Sequence, residues 1–302
     1  MTTATKATIR FDADKATWIG EANGKKVVSS YDKSRVEKMM SKAGFANVAV
    51  ETSANDAAET NAQAQWAINE RFGFLTQLVT MVAKRKAVSV IVTGQGGLGK
   101  THTVRAALET AGLKDADDFD NLNGAEGSYK IIKGYSTAKG LYRELFSNKD
   151  SVIVFDDCDS VLRDAVALNL LKGALDSYDK RVISWNAEMK DEELPTSFQF
   201  NGRVIFISNM KKENMDNALM TRAYSVDLMM TTAQKIERMQ TLVNDDTFMP
   251  TFELAHKNDA LRLIEVNAEN AKEVSLRTLQ AVTRVRANGG DWEKLATYIL
   301  TA

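Results

Sequence analysis

Residues 88 to 101 read Val-Ser-Val-Ile-Val-Thr-Gly-Gln-Gly-Gly-Leu-Gly-Lys-Thr, and no other stretch constrains the fold as tightly. The run Val88 to Thr93 is apolar and β-branched on both faces, the pattern of a fully buried strand. It breaks into Gly94-Gln95-Gly96-Gly97-Leu98-Gly99-Lys100-Thr101-His102, and Thr103 to Glu109 is a good helix former. Strand, glycine loop and helix in that order form the setting for binding phosphate groups. Gly94, Gly96, Gly97 and Gly99 let the backbone curl until its N–H groups converge on an anion. The new helix aims its positive end at the same point. Lys100 is placed to reach the β- and γ-phosphates of a nucleotide, and Thr101 offers a hydroxyl to Mg²⁺.

The 302 residues allow about two domains with ample core. A net charge of −1 excludes a global basic field for nucleic acid, though not a local groove. Cys158 is the only cysteine, so no intramolecular disulfide forms and a reducing compartment fits. His102 and His256 are far apart in sequence, so no cluster of metal-ligating residues stands out. No apolar run is long enough to span a bilayer, and a cytoplasmic protein is expected.

Three regions are read along the chain: an N-terminal module and linker over 1–60, an α/β core over 61–230 and helices over 231–302. Residues 1 to 15 are mixed and polar and read as irregular. Thr17–Ile19 and Lys26–Val28 flank Asn23-Gly24, a hairpin signal. A helix follows over Arg35–Lys42, with Val36, Met39 and Met40 on one face, and then a short strand over 47–51. Residues 64 to 85 show helical periodicity, with Trp66 and Phe72 placed either in the core or beside a nucleotide base. Residues 114 to 128 read as a surface loop. Buried strands are expected at 151–156 and 203–208, a short strand at 129–133 and a last strand at 224–228, with helices at 137–147, 160–178 and 213–221. Arg181–Trp185 suggests a hairpin arm. From Thr232 onward the pattern is helical only. Strands alternating with helices and then helices alone predict a parallel sheet followed by a small helical domain.

In parallel sheets, ligands bind beyond the carboxyl ends of the strands. Besides the loop, Val152–Phe155 ends in Asp156-Asp157, and Arg203–Ile207 ends in Ser208-Asn209. Asp156 is placed to hold Mg²⁺ together with Thr101. Asp157 can act as base or orient a water, and Asn209 can bond the γ-phosphate or that water. Asp159 and Asp164 read as a capping and surface pair, and Cys158 as a small buried filler.

Taken together, these residues resemble the AAA+ ATPase family over about residues 64 to 290. Gly94–Thr101 resembles a Walker A loop and Val152–Asp157 a Walker B strand. Arg203–Asn209 looks like a sensor-1 strand. Ala218-Leu-Met-Thr-Arg222 is similar to the segment that ends in an arginine finger, and Ser275-Leu276-Arg277 to the start of a sensor-2 helix. The flavour is similar to AAA+ proteins of tailed bacteriophages. The resemblance implies ATP and Mg²⁺ as cofactors and a ring homo-oligomer, often a hexamer, with nucleotide between subunits. It implies that Arg222 reaches a neighbour's γ-phosphate and that Arg277 senses it from the helical lid.

The chain departs from the family pattern. Asp157 stands where a glutamate is usual and is one methylene shorter. Lys139-Gly140-Leu141-Tyr142 is only a weak match to an aromatic pore loop, and the N-terminal module matches nothing. Two readings follow. One is an oligomeric motor that remodels or translocates a polymer, protein or DNA. The other is a slow nucleotide-gated switch or loader. A small-molecule kinase is a third reading, but it leaves the helical domain unexplained. For nucleic acid, Arg181, Trp185, Lys190, Lys139 and Tyr142 are the residues of interest, because bases stack on aromatics while phosphates pair with cations.

Overall fold

A computed structural model describes residues 7–12, 17–22, 25–30, 33–43, 45, 49–51, 66–118, 124–134, 136–186 and 194–302. The chain divides into two compact units, Met1–Trp66 and Ala67–Ala302. The first holds β1 (Ala7–Asp12), β2 (Thr17–Ala22), β3 (Lys25–Ser30), α1 (Lys33–Lys42) and β4 (Ala49–Glu51). Their sheet order is β3-β2-β1-β4. The hairpin expected around Asn23-Gly24 is the antiparallel pair β2–β3; the turn itself lies outside the described residues.

Residues 1 to 15 are not simply irregular. Ala7–Asp12 is an inner strand, antiparallel to β2 and parallel to β4. Among its described side chains, Ala7 and Ile9 join the core with Val28, Val36 and Met40. Met39, expected inside, is exposed, because the buried stripe of α1 follows the i, i+4 row of Val36 and Met40. Gly20 lets α1 lie against β2: a Cβ there would come within 2.7 Å of the Met40 sulfur.

The second unit opens with α2 (Ile68–Ala83), β5 (Ser89–Thr93), α3 (Lys100–Thr110), β6 (Lys114–Asp115), β7 (Ser128–Lys133), α4 (Ala138–Ser147) and β8 (Val152–Asp156). It continues with α5 (Ala165–Ala174), β9 (Val182–Ser184), β10 (Ser197–Gln199), β11 (Arg203–Ser208), α6 (Asn217–Met220) and β12 (Tyr224–Asp227). Six strands form one sheet in the order β12-β5-β11-β8-β7-β6, and every pairing in it is parallel. The 114–128 stretch thus contributes an edge strand, β6, whose two residues are too short to register as a pattern. The Arg181–Trp185 arm pairs as β9 with β10, as a separate antiparallel ribbon.

Both faces of the sheet are covered, which is why its strands read as unbroken apolar runs. Val90, Val92, Val152, Val154, Ile205 and Ile207 pack under α2 and α3. Ile91, Ile153, Phe155, Val204 and Phe206 face the other way, under α4 and α5. Phe155 and Phe206 are register partners and stack with centroids 5.5 Å apart. Each fully buried aliphatic or aromatic side chain here stabilises by about 1.5–3 kcal/mol. Asp164 caps α5, its carboxylate accepting from the Ala167 N–H at 2.7 Å.

Four helices close the chain: α7 (Thr232–Val243), α8 (Leu254–Asn267), α9 (Leu276–Asn288) and α10 (Trp292–Thr301). They build their own core from Met239, Val243, Ile264, Leu279, Val282 and Leu300, among others. The α/β sheet flanked by helices and the trailing helical layer are as the sequence predicts. Among the described residues, no helix is long and apolar enough to cross a membrane.

Candidate functional site

The carboxyl ends of β5, β8 and β11 meet at one cleft of about 180 Å³. Gly96 to His102, Asp156, Asp157, Ile207, Asn209 and Arg277 line it. The sequence-selected loop, the strand-end carboxylates, Asn209 and Arg277 are therefore brought together. Gly94 and Gln95 lie just behind, and their carbonyls face Lys100.

The loop turns through left-handed backbone. Gly94, Gly97 and Gly99 have φ of 144°, 70° and 90°. At Gly94 a Cβ would also lie 2.9 Å from the Leu228 carbonyl group, so space and backbone both demand glycine. Gly99 is the N-cap of α3 and carries no side chain to occupy the helix's first N–H groups.

Lys100 is buried and donates to the Gly94 and Gln95 carbonyls, both at 2.7 Å, and to Asn209 Oδ1 at 2.9 Å. The amide of Asn209 then donates from Nδ2 to Asp157 Oδ1 at 2.7 Å. One side chain thus bridges the cation and the carboxylate. Burial pushes the Lys100 ammonium down to about 8, against the pull of Asp157 and Asp156. Burial, followed by the neighbouring Asp156 charge, pushes the Asp157 carboxyl up. Asp157 also has a φ of 56°, rare outside glycine, and costs about 1–2 kcal/mol of backbone strain. Its N–H is tied to the Ile207 carbonyl at 3.0 Å, which holds that turn.

The Thr101 hydroxyl donates to the Asp156 carboxylate, 3.0 and 3.1 Å from its two oxygens. A hydroxyl beside a carboxylate is a hard-oxygen pair that fits Mg²⁺, which takes few protein ligands and fills its shell with phosphate and water. Among the described residues, no group of three or more His, Cys, Asp or Glu could hold a metal alone.

The helical layer closes one side. Ser275 is the N-cap of α9 and accepts from the Thr278 N–H. The Leu276 N–H donates to the Gly97 carbonyl at 2.9 Å, so the start of α9 is latched to the loop by backbone. That places Arg277 on the cleft wall. Arg222 does not line the cleft. It is exposed at the end of α6, donating to the Ala218 carbonyl at 2.9 Å.

Several residues of interest have structural roles instead. Arg181 is buried, donates to the Ala174 and Gly202 carbonyls and lies over the Phe200 ring, so it is not a nucleic-acid contact. Tyr142 is fully buried with its hydroxyl on the Pro195 carbonyl, and Trp185 packs against its ring. Leu141 is buried beside it, which removes Lys139–Tyr142 as a pore loop. A hydrophobic i, i+3, i+4 pattern would have placed both on the inner face of α4. Lys190 lies outside the described residues. Phe72 is core, with the Arg238 guanidinium 4.0 Å from its ring centre. Cys158 is buried and its thiol pushed up to about 11, first by burial, as suits a filler.

Sequence reading missed two supports. Asp159 accepts from the Ser208 hydroxyl at 2.6 Å, joining the ends of β8 and β11. Lys133, the last residue of β7, reaches Asp156 Oδ2 at 3.6 Å. The strand-end rule that singled out Asp156 and Asn209 applies equally to the neighbouring β7.

Residues 90–230 match the family described as ATPase family associated with various cellular activities (AAA). The chain is 28% identical over 249 residues to an uncharacterized 36.7 kDa protein of Enterobacteria phage T4, covering 76% of this chain and 73% of that one. Among solved structures it is similar to C. elegans PCH-2, at a TM-score of 0.40 and 12% identity, over 78% of this chain and 66% of that chain. It is also similar to NtrX from Brucella abortus in complex with ADP, at a TM-score of 0.47 and 14% identity, over 86% of this chain and 63% of that chain. The family match runs from β5 to Met230 and takes in the glycine loop and both polar strand ends, so over these residues the chain is similar to the AAA family of ATPases.

Proposed function

We propose that the chain binds ATP with Mg²⁺ in this cleft, hydrolyses it, and couples the cycle to remodelling or translocating a macromolecule as a ring homo-oligomer, a hexamer in the simplest case. The observation that carries the chemistry is the bridge Asp157–Asn209–Lys100 beside the Thr101–Asp156 pair. Thr101 and Asp156 would hold Mg²⁺, which would supply positive charge to the bound phosphates. Gly94 to His102 wrap the phosphates with backbone N–H groups. The phosphates draw the Lys100 ammonium away from Asn209. The freed Oδ1 of Asn209 can then accept from the attacking water, while Nδ2 keeps Asp157 oriented towards it. Arg277 adds positive charge from the start of α9. Arg222, exposed and outside its own cleft, suits a role in a neighbour's site.

The slow switch is the second reading, and one observation favours it. The Asp157 carboxylate is short and already held by Asn209 at 2.7 Å, so activating water competes with that bond. The deciding measurement is ATPase rate at moderate salt, with and without single-stranded DNA, with Lys100→Ala as blank. Stimulation that fades as salt rises supports a nucleic-acid motor. Robust turnover indifferent to DNA supports a protein remodeller. Turnover no higher than the blank supports the switch.

The lowered Lys100 sets a pH dependence. Bound polyphosphate favours the ammonium, so its pKa in the complex lies above the value of about 8 in the free chain. Between those two values binding takes up a proton, and affinity falls as pH rises above about 8, by up to about tenfold per pH unit. Calorimetry in buffers of different ionisation heat should show net proton uptake at about pH 8.5 and little near pH 7. Equal heats at the higher pH would remove Lys100 as the phosphate partner.

A further inference from the structure

Beside the cleft stands a cation, Lys133, to which the proposed reaction gives no part. β7 and β8 run in register so that Lys133 pairs with Asp156. Lys133 Nζ stands 3.6 Å from Asp156 Oδ2, an oxygen that also accepts from Thr101. The Asp156 side chain is 8% exposed and that of Lys133 65%, so the carboxylate is fixed while the ammonium comes in from solvent. Lys100 offers Asp156 no hydrogen bond, because its donors are spent on Gly94, Gln95 and Asn209. Asp157 and Asp159 lie nearby, so a polyphosphate entering this cleft without a metal meets a cluster of carboxylates.

We propose that Lys133 is a built-in counter-cation for Asp156, occupying one of its oxygens until a divalent metal displaces it, so that it sets the balance between metal-free and metal-loaded nucleotide. The proposal rests on the nucleotide-binding reading above. Two consequences follow from charge alone. Without metal, Lys133 offsets the repulsion between Asp156 and the phosphates, so it raises the affinity for free nucleotide. With metal, the ammonium and the ion compete for the same oxygen, so it lowers the affinity for the ion. By linkage the metal weakens the Lys133–Asp156 pair by the same factor. Lys133 is then a positioning residue and touches no reacting atom.

The test measures ADP binding by calorimetry, in EDTA and in saturating Mg²⁺, for wild type, Lys133→Met and Lys133→Arg. It adds a Mn²⁺ titration of the ADP complex followed by electron paramagnetic resonance. For Lys133→Met we expect ADP affinity in EDTA to fall about two- to fivefold, the range of a partly exposed ion pair. Affinity in saturating Mg²⁺ should hold or rise, and half-saturation by Mn²⁺ should move to lower concentration by a similar factor. Lys133→Arg should behave as wild type. Equal losses in EDTA and Mg²⁺ would make Lys133 a plain phosphate ligand and overturn the proposal, as would no change in either. Wild type that binds no ADP under either condition would instead overturn the nucleotide reading itself.

Discussion

Lys100→Ala should abolish hydrolysis, with turnover down on the order of 10²–10³-fold or more, and should do so without unfolding the chain. The loss follows from geometry: Lys100 is the cation at the centre of the loop, bonded to Gly94, Gln95 and Asn209. Removing it takes the loop's own cation from the phosphates and leaves Asn209 with only Asp157 to hold. The expected stability is less obvious. Burial holds the Lys100 ammonium down to about 8, below its unfolded value of about 10.4. A lowered pKa means the folded state resists the charge, so below about pH 8 the ammonium costs stability, and that cost disappears as pH rises from about 8 towards 10.4. Against this, two carbonyls lose a donor. The thermal midpoint of Lys100→Ala at pH 7 should therefore stay level or rise. An inactive variant with a sharply lower midpoint would mean that the loop, rather than the phosphate contact, had failed.

Arg222→Ala should lower hydrolysis by about 10³-fold or more in the assembled protein while leaving ADP affinity within about twofold. Phosphoryl transfer spreads charge over the equatorial oxygens, and a guanidinium supplied across an interface stabilises it. The side chain is exposed and makes one bond, to the Ala218 carbonyl, so its loss opens no cavity. The decisive arm is a mixture. Lys100→Ala subunits keep Arg222, and Arg222→Ala subunits keep Lys100. If the arginine acts in trans, mixing the two inactive variants restores part of the activity. Normal turnover by Arg222→Ala alone, or a mixture as dead as its parts, would remove Arg222 from the neighbour's site.

Legibility followed burial and periodicity. Val88–Thr93, Val152–Phe155 and Arg203–Ile207 announced themselves because a strand covered on both faces has no polar alternation to blur it. Their polar ends then marked the cleft, and the family resemblance marked the start of α9 at Ser275-Leu276-Arg277. Lys114–Asp115 is too short to carry a pattern, and both it and Ala7–Asp12 are placed by strand pairing, the first with β7 and the second with β2 and β4. Arg181 and Tyr142 were misread. A cation beside aromatics looks the same in sequence whether it meets a ligand or stacks on Phe200 and bonds two carbonyls. The Leu276–Gly97 latch is backbone to backbone and leaves no side-chain signature at all.

The strand order also governs when this chain becomes competent during synthesis. β5, which carries the glycine loop, pairs with β11 and β12, both made long after it. Until they emerge, β5 has neither neighbour, and Gly94 lacks the Leu228 carbonyl it is shaped against. Contacts this distant in sequence close slowly. A nascent chain that ends before Arg203 therefore holds every residue of the loop and no site. The loop's assembly is a late event, and ligand capture by a growing chain would report the completed sheet rather than the presence of the motif.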